Sequence, residues 1–251
     1  MISKALIKDI KSLHQPKFRQ IYNKFIAEGE KSCSEFLNHP KYKVDKIFIY
    51  NKAETKYKNL LKNEIAEVIN VSQKEMEQLS SFKTASDILL LLERHEDNDN
   101  ILLKQGTSGI YLDGVQDPGN VGTIIRLADW FGIDAVIRSQ ESADFFNPKV
   151  IQSSMGSMVN VALFSSNPDN LIRYGKKLYG TFMEGSNISN TLIEPDAIIV
   201  LGSEGHGISP ELSTYINYKI TIPGNPLKIA DSLNVAVAAA IVCSQWKGNI
   251  K

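Results

Sequence analysis

Three short segments in the second half of the chain carry polar side chains at spacings that could hold a ligand and position a reaction. The last segment, residues 220–246, has the pattern of a β-branched strand, a Pro/Gly/Asn loop and an alanine-rich helix. Ser232 and Asn234 fall at the start of that helix, where backbone N–H groups are free and the dipole end is positive. Taken alone, this pattern favours a capped core helix, because serine and asparagine are common helix caps.

The second segment is a glycine-rich loop. Gly202-Ser-Glu-Gly-His-Gly-Ile208 follows the apolar run of residues 196–201 and precedes Ser209-Pro210-Glu211, which is typical of a helix start. Loops between a parallel strand and a helix bind ligands in α/β folds, and Glu204 supplies a carboxylate there. The glycine order is not the dinucleotide fingerprint, and the sequence contains no P-loop motif. The pattern therefore argues against a nicotinamide oxidoreductase and a nucleoside triphosphatase.

The first segment is a turn that leads into a helix. A strand is predicted over residues 109–115, and a helix over residues 121–131 follows the turn that contains Asn120. Arg126 lies on the more polar side of this helix, above the turn. Two ordinary roles remain open for these residues: Asn120 as a helix cap, and Arg126 as the surface ion-pair partner of Asp129.

The elements that would position these segments alternate between strands and helices. Gly132 ends the helix of residues 121–131, and Asn147-Pro148 and Asn167-Pro168 mark two further helix starts. Continuous apolar runs such as residues 196–201 are typical of strands inside a parallel sheet. The predicted strands of this half are residues 109–115, 134–138, 158–164, 178–183, 196–201 and 220–222.

The first half of the chain predicts a second, smaller α/β domain. Its predicted helices are residues 3–13, a helix around 34–37, residues 56–62, and a helix from the capping box Ser72-Gln-Lys-Glu75 to about residue 79. Its predicted strands are residues 44–50, 66–71 and 87–93. The polar stretch of residues 95–100 marks the boundary. We therefore expect domains over residues 1–95 and 109–251, joined by a linker over residues 96–108.

Composition limits the class of protein. With 251 residues, 43% of them hydrophobic, the chain can bury a proper core. Cys33 and Cys243 lie 210 positions apart, which suits neither a zinc site nor a disulfide framework and indicates a reducing compartment. The sequence shows neither an apolar secretory segment nor a run long enough to span a bilayer. These features predict a cytoplasmic protein that does not bind membranes.

The formal net charge of zero conceals an uneven distribution. Residues 1–62 carry 14 basic against 6 acidic side chains, whereas residues 96–251 carry 11 against 16. A basic excess on one domain is typical of a protein that binds a polyanion such as RNA. A solvated, lysine-rich surface would give the same count, so the bias gains meaning only together with the three segments.

The three segments, taken together and in order, resemble a known family. Asp117-Pro-Gly-Asn-Val-Gly-Thr-Ile-Ile-Arg126, Leu201 to Ile208, and Ile222 to Val235 are similar to the three motifs of the SpoU (TrmH-like) 2′-O-ribose RNA methyltransferases of the SPOUT superfamily. Residues 25–31 resemble part of that family's RNA-binding domain, which is related to a large-subunit ribosomal protein. The resemblance covers nearly the whole chain and is stronger after residue 110.

The resemblance implies a fold, a cofactor and partners. It implies a parallel-sheet domain with a deep trefoil knot, through which the loop of residues 222–231 and the final helix are threaded, together with the smaller N-terminal α/β domain. Knots are rare among folds. It further implies S-adenosylmethionine as the cofactor, RNA as the partner, a homodimer through the knotted domain, and no metal. The implied cofactor-binding residues are Leu201, Gly202, Gly207, Ile222, Pro223, Ser232 and Leu233.

The resemblance also assigns catalytic roles. Arg126 is implied as the principal catalytic residue, with Asn120, Glu204, Ser232 and Asn234 positioning the ribose, the loops and the cofactor. Because arginine stays protonated in proteins, we expect a phosphate clamp and not a general base. Two features depart from the family pattern: the loop of residues 224–231 is about two residues longer, and Ala236 stands where serine is frequent.

Ribosomal RNA is the favoured substrate on this interpretation. Two alternatives stay open: transfer RNA as the substrate, or a non-catalytic RNA-binding or ribosome-assembly protein on the same fold. The joint presence of Asn120, Arg126, Glu204, Ser232 and Asn234 argues against the second alternative, because a site without chemistry has no physical reason to keep them together.

Overall fold

The computed structural model describes residues 2–62, 65–94 and 105–248. The chain divides into two units, Met1–Glu96 with Asp144–Val159, and Asp97–Ala143 with Asn160–Lys251. The predicted boundary at residues 95–100 lies outside the described residues, as do residues 96–104 of the predicted linker.

The elements alternate along the chain. Up to residue 94 they are α1 (Lys4–Ser12), α2 (Pro16–Tyr22), β1 (Lys24–Glu28), α3 (Glu30–Asn38), β2 (Val44–Tyr50), α4 (Glu54–Tyr57), β3 (Glu67–Val71), α5 (Gln73–Leu79) and β4 (Ile88–Glu93). From residue 109 they are β5 (Gly109–Asp113), α6 (Pro118–Trp130), β6 (Ala135–Arg138), α7 (Pro148–Ser154), β7 (Ala162–Ser165), α8 (Pro168–Ile172), β8 (Leu178–Asn187), β9 (Ile198–Gly202), α9 (Pro210–Ser213), β10 (Tyr218–Thr221) and α10 (Val235–Lys247).

The first unit is built on a four-stranded mixed sheet in the order β1-β4-β2-β3. Strand β4 is antiparallel to both neighbours, and β2 and β3 are parallel. The apolar run of β4 is buried as far as Leu92, as expected for a central strand. Helix α1 places Ile10 and Leu13 in the core beside Met76 and Leu79 of α5.

The segment between β6 and β7 completes this first unit. Arg19 of α2 is fully buried, and its Nε and Nη2 both donate to Asp144 Oδ2 at 2.8 and 2.6 Å. The Phe146 ring lies 4.8 Å from the Phe25 ring, and Lys41 Nζ donates to the carbonyl of Met158 at 2.8 Å. Residues 144–159, which fall inside the predicted range 109–251, therefore pack with the first unit.

The second unit contains a six-stranded, fully parallel sheet in the order β10-β8-β9-β5-β6-β7. Its core includes Tyr111, Ile137, Phe164 and Val200. Because all strands run the same way, the ends of β5, β9 and β10 at Asp113, Gly202 and Thr221 share one edge of the sheet. The predicted α/β fold with a parallel sheet is confirmed, and the trefoil knot remains a prediction.

Two predicted helix starts near the candidate site are corrected. Helix α6 begins at Pro118, because the Asp117 carboxylate accepts hydrogen bonds from Gly119 N at 2.6 Å and Asn120 N at 3.1 Å. Asp117 is therefore the cap, and the capping role considered for Asn120 is wrong. Helix α10 is capped by Asn234 and begins at Val235, so Ser232 lies before the helix.

Other differences reflect short elements. The predicted strand of residues 158–164 is confined to Ala162–Ser165, because Ser157–Val159 forms a 3-10 turn. The predicted helix of residues 56–62 is only the short Glu54–Tyr57, and the Pro16–Tyr22 helix was not predicted. The capping box at Ser72 and Glu75 is confirmed. None of the helices in the described parts of the chain is both long and apolar enough to cross a membrane.

Candidate active site

The three candidate segments leave the sheet at its carboxyl edge. Strand β5 leads to the Asp117 turn, β9 leads to the loop of residues 203–207, and β10 leads to the loop of residues 222–234. The carboxyl edge is where open α/β sheets bind ligands, because the loops that follow the strands converge there.

A chain of side-chain hydrogen bonds joins the three segments. Asn234 Nδ2 donates to Asn120 Oδ1 at 3.0 Å, and Asn120 Nδ2 donates to Glu204 Oε1. Asn234 Oδ1 meanwhile caps α10 by accepting from Ala236 N at 3.0 Å and Val237 N at 3.3 Å. Each amide thus donates through nitrogen and accepts through oxygen, which an aspartate could not do. The structure brings Asn120, Glu204 and Asn234 together, and their catalytic roles remain predictions.

The glycine-rich loop is a tight turn with Glu204 exposed near its tip. Ser203 N donates to Gly207 O at 3.0 Å, and Gly207 N donates back to Ser203 O at 2.9 Å. Gly207 has a φ of 68°, and a Cβ on Gly202 would overlap the backbone of Gly207. Glycine is therefore required at both positions by backbone conformation and by close approach. The loop is tied to β5 because Asp113 Oδ2 accepts from Ser209 N at 2.6 Å.

Arg126 lies on the exposed face of α6, two turns after the Asp117 cap. In the described parts of the chain its guanidinium has no hydrogen-bond or ion-pair partner, while Asp129 Oδ1 accepts from Asn160 Nδ2 at 3.1 Å. The alternative of an ion pair between Arg126 and Asp129 is therefore wrong. An exposed, unpaired guanidinium is available to grip an anion in forked geometry.

The loop of residues 222–234 provides the remaining predicted site residues. Its internal hydrogen bonds centre on Asn225, which accepts from Leu227 N at 2.8 Å and Lys228 N at 3.0 Å. Ser232 is exposed, and among the described residues its hydroxyl has no hydrogen-bond partner. The structure therefore does not join Ser232 to the hydrogen-bonded group of Asn120, Glu204 and Asn234, which we call the Asn120 group. The catalytic role of Ser232 remains a prediction.

The groups at this edge suit a nucleoside-type cofactor. Among the described residues, the backbone groups of Ser232 and Leu233 have no protein partner, and Leu233 is 49% exposed, which offers neutral donors and acceptors beside an apolar side chain. Leu201, Gly202 and Gly207 stand at the end of β9 and in its loop, and Ile222 and Pro223 follow β10 directly. Neutral backbone groups beside apolar side chains can contact an adenosine and an amino-acid chain.

Two positioning residues were missed by the sequence interpretation. Asp117 precedes Pro118, and a capping residue before a proline at the first helical position is a signal that could have located it. The bond from Ser209 N to Asp113 spans 96 positions of sequence, so no local pattern predicts it. Within the described ranges, no group of three or more His, Cys, Asp or Glu side chains is arranged to hold a metal.

We expect Asn120→Asp to disrupt the joined loops at small cost to stability. The substitution preserves shape but removes the donor to Glu204 and places a second carboxylate against it. Activity should fall by about 10-fold or more, since displacement of positioning groups by about 1 Å can cost 100-fold. Initial rates of the methyl transfer that the family resemblance implies should be measured together with thermal unfolding. Wild-type activity in Asn120→Asp would contradict a positioning role for this hydrogen-bond chain.

Comparison with known proteins gives matches over most of the chain. The model of the SpoU rRNA Methylase family matches residues 108–244, and that of the MRM3-like substrate binding domain matches residues 4–89. The chain is 32% identical over 249 residues to the 23S rRNA (guanosine(2553)-2'-O)-methyltransferase RlmP of Bacillus subtilis (strain 168), with 96% of each chain covered.

Solved structures give the same picture. A protein from Porphyromonas gingivalis, described as an RNA methyltransferase of the TrmH family, is similar with a TM-score of 0.85 and 35% identity over 99% of both chains. The SpoU methyltransferase AviRb from Streptomyces viridochromogenes, solved in complex with the cofactor AdoMet, has a TM-score of 0.87 at 23% identity over 97% of both chains. The second likeness is one of fold.

Proposed function

We propose that this chain, which belongs to the SpoU rRNA methylase family, transfers the methyl group of S-adenosylmethionine to a ribose 2′-hydroxyl of ribosomal RNA. The predicted family is confirmed by the match over residues 108–244. The observation that carries the proposal is the hydrogen-bonded group of Asn120, Glu204 and Asn234, because it unites the three segments at the ligand-binding edge of the sheet.

Ribosomal RNA is favoured over transfer RNA by the relatives' names. The Bacillus subtilis relative that matches almost the whole chain is named for 23S rRNA, and so is the Coxiella burnetii relative that is 30% identical over 202 residues. A non-catalytic RNA-binding protein is disfavoured, because such a protein has no need for Asn120, Glu204 and Asn234 to be joined at the ligand-binding edge of the sheet.

The chain's own residues contribute binding, orientation and charge. When bound, S-adenosylmethionine supplies an electrophilic methyl group on its sulfonium. Backbone groups of Leu201, Gly202, Ile222 and Leu233, with the side chains of Pro223 and Ser232 and the turn at Gly207, would hold it at the carboxyl edge. The Asn120 group fixes the three loops relative to one another. Such positioning of two reactants can lower a barrier by about 7–11 kcal/mol in well-oriented systems.

Arg126 orients the RNA. Its guanidinium grips a phosphate next to the target ribose and so aligns the 2′-oxygen with the methyl group. Arginine has no free lone pair to accept a proton at ordinary pH. The 2′-hydroxyl proton would therefore leave to a phosphate oxygen or to water, while the C–S bond of the sulfonium breaks, leaving a neutral thioether, as the new C–O bond forms.

The test is calorimetry followed by a methylation assay. The full chain should bind S-adenosylmethionine in the presence and absence of a chelator with the same affinity, and it should transfer labelled methyl to ribosomal RNA from cells that lack the protein. Mapping of ribose methylation in RNA from cells with and without the protein would identify the nucleotide. A folded protein that shows no binding in calorimetry would exclude the enzyme hypothesis.

The remaining proposals concern organisation. The first unit, including residues 1–95, holds the RNA. A cytoplasmic location is supported by Cys33 and Cys243, which are both free and buried.

The second unit forms a homodimer. This proposal is supported by two exposed apolar side chains on helices that pack together: Trp130 of α6 is 80% exposed, and Val237 of α10 is 49% exposed. Light scattering should give a dimer mass for the wild type and a monomer mass for Trp130→Glu; a wild-type monomer would refute the dimer.

A further inference from the structure

We propose that α1 and α2 form a docking surface for unpaired nucleotides of the substrate RNA. The α1–α2 surface consists of Lys4, Lys8, Lys11, Lys17 and Tyr22. The inference rests on the proposed function, because it assigns to one surface of the first unit the contact with the RNA. The RNA that binds this surface is single-stranded, because the surface carries positive charge together with an exposed, stacked aromatic ring.

The positive charge is arranged as a stripe on one helix face. Lys4, Lys8 and Lys11 are separated by four and three residues, so they lie above one another on α1. All three are exposed, and α1 has no acidic residue in its first turn. Asp9, the acidic residue of α1, lies about 100° around the helix from Lys8. The stripe has the spacing of adjacent turns and can contact successive phosphates.

These lysines are not engaged elsewhere in the described parts of the chain. The side-chain amines of Lys4, Lys8, Lys11 and Lys17 have neither hydrogen-bond nor ion-pair partners there. Other lysines of the first unit do form ion pairs: Lys24 with Asp45, Lys31 with Glu35, Lys43 with Glu93, Lys46 with Glu67 and Lys56 with Glu30. The α1–α2 lysines therefore have charge available for phosphates, and phosphate contacts dominate RNA affinity.

The aromatic part of the α1–α2 surface lies on α2, which follows α1 in the chain. The Phe18 and Tyr22 rings are stacked, with centroids 6.0 Å apart and an angle of 18° between planes. Tyr22 is 45% exposed and its neighbour Ile21 is 59% exposed, so the supported tyrosine presents apolar surface to solvent. A base that is not paired can stack on such a ring, whereas the bases of a duplex are covered by their neighbours.

The backbone under this surface is anchored. Ile10 and Leu13 of α1 are 1% and 2% exposed, and Ile2 N donates to Glu75 Oε1 at 2.8 Å. Arg19 holds α2 from below through Leu13 O at 2.8 Å and Asp144. A surface held in this way can bind RNA without a further cost in ordering its own backbone.

The charge is tested by matched triple variants in the full-length protein. Fluorescence anisotropy should measure binding of a labelled 12-nucleotide oligo(A) and of a 12-base-pair RNA duplex across a salt series. Lys4→Gln, Lys8→Gln and Lys11→Gln together should lower the salt slope for oligo(A) by about 2, since each contact contributes about 0.7. The control triple Lys31→Gln, Lys43→Gln and Lys46→Gln removes equal charge from ion-paired lysines and should lower it by less than half as much. Equal slopes in the two triples would overturn the proposal.

The stacking is tested with a matched tyrosine. Tyr22→Ala should weaken oligo(A) binding about tenfold and duplex binding less than twofold, because stacking of one base contributes about 1–3 kcal/mol. Tyr22→Phe should restore the affinity. The control is Tyr218→Ala in the second unit, since Tyr218 is also 45% exposed and stacks on Tyr179 at 4.7 Å. Unchanged oligo(A) affinity in Tyr22→Ala, or an equal loss in Tyr218→Ala, would overturn the inference.

The two proposals fail in different ways. Calorimetry with S-adenosylmethionine and methyl transfer to ribosomal RNA test the proposed function without reference to α1 and α2. If both succeed while the Tyr22 and lysine variants bind RNA like the wild type, the docking surface is wrong and the enzyme assignment stands. If the cofactor does not bind, the enzyme assignment is lost whatever the variants show.

Discussion

Replacing Arg126 by alanine should lower the single-turnover rate of methyl transfer by at least about 100-fold while leaving the affinity for S-adenosylmethionine within about twofold of wild type. The loss is the size expected when one preorganised charged donor is removed from a reaction site. Stability should change little, because Arg126 is exposed and has no partner among the described residues. A rate within a few-fold of wild type would refute the mechanism.

The lysine substitution separates charge from geometry. Arg126→Lys keeps the positive charge but loses the planar fork that grips a phosphate through two parallel bonds, so it should recover only a small part of the lost rate. Arg173→Ala is the matched control, since Arg173 is also an exposed arginine of the second unit at the end of a helix. A single-turnover assay at saturating cofactor compares chemistry directly across the three variants. Equal losses of the methyl-transfer rate in Arg126→Ala and Arg173→Ala would indicate that the rate depends on the overall positive charge and not on Arg126 itself.

The sequence was sufficient where local chemistry determines structure. The capping box at Ser72, the helix stop at Gly132 and the buried run of β9 each follow from residues adjacent in sequence, and the structure places them as expected. The grouping of Asn120, Glu204 and Asn234 required more, because their hydrogen bonds span 84 and 114 positions. The family resemblance implied that these residues serve one site, whereas no local pattern in the sequence indicates their hydrogen bonds.

The predictions from sequence were wrong where tertiary packing, or competition between two capping side chains, determines the structure. Asp117 and Asn120 are both good caps, and the choice between them depends on which side chain reaches the free N–H groups. Residues 144–159 carry an ordinary helix start at Asn147-Pro148, and nothing local to that stretch tells which unit its apolar face will join. Phe25 and Arg19, which contact Phe146 and Asp144 of this stretch, lie more than a hundred residues earlier.

Residues 144–159 also give the second prediction of a large effect, a change in the stability of the first unit. Arg19→Met should lower the stability of the first unit by about 3–5 kcal/mol, because it leaves the Asp144 carboxylate without the guanidinium that satisfies it. The Arg19 side chain is 1% exposed and that of Asp144 is 19% exposed, so water can compensate for the loss only in part. The double variant Arg19→Met with Asp144→Leu should recover much of the loss, since replacing a whole buried pair by apolar side chains is often nearly neutral.

The measurement has to report on the first unit. Both tryptophans, Trp130 and Trp246, belong to the second unit, so their fluorescence would not detect the change. Hydrogen exchange of the β1 and β4 amides should show the loss of protection in Arg19→Met and its recovery in the double variant. Lys43→Gln is the control, because the Lys43–Glu93 pair is exposed and its loss should leave the exchange of the β1 and β4 amides almost unchanged.

This result also decides how the two units should be separated experimentally. A chain that begins after the linker would keep residues 144–159 but lose Phe25 and Arg19, exposing Phe146 and leaving Asp144 unpaired. Loss of RNA binding in such a truncated chain would then mix the absence of a docking surface with damage to the connection between β6 and β7. If Arg19→Met leaves the exchange of β1 and β4 unchanged, the first unit does not depend on the Arg19–Asp144 pair, and the remaining contacts of residues 144–159, such as Phe25 with Phe146, have to be tested in the same way before truncation. If protection is lost as expected, RNA binding has to be assigned by point substitutions in the intact chain.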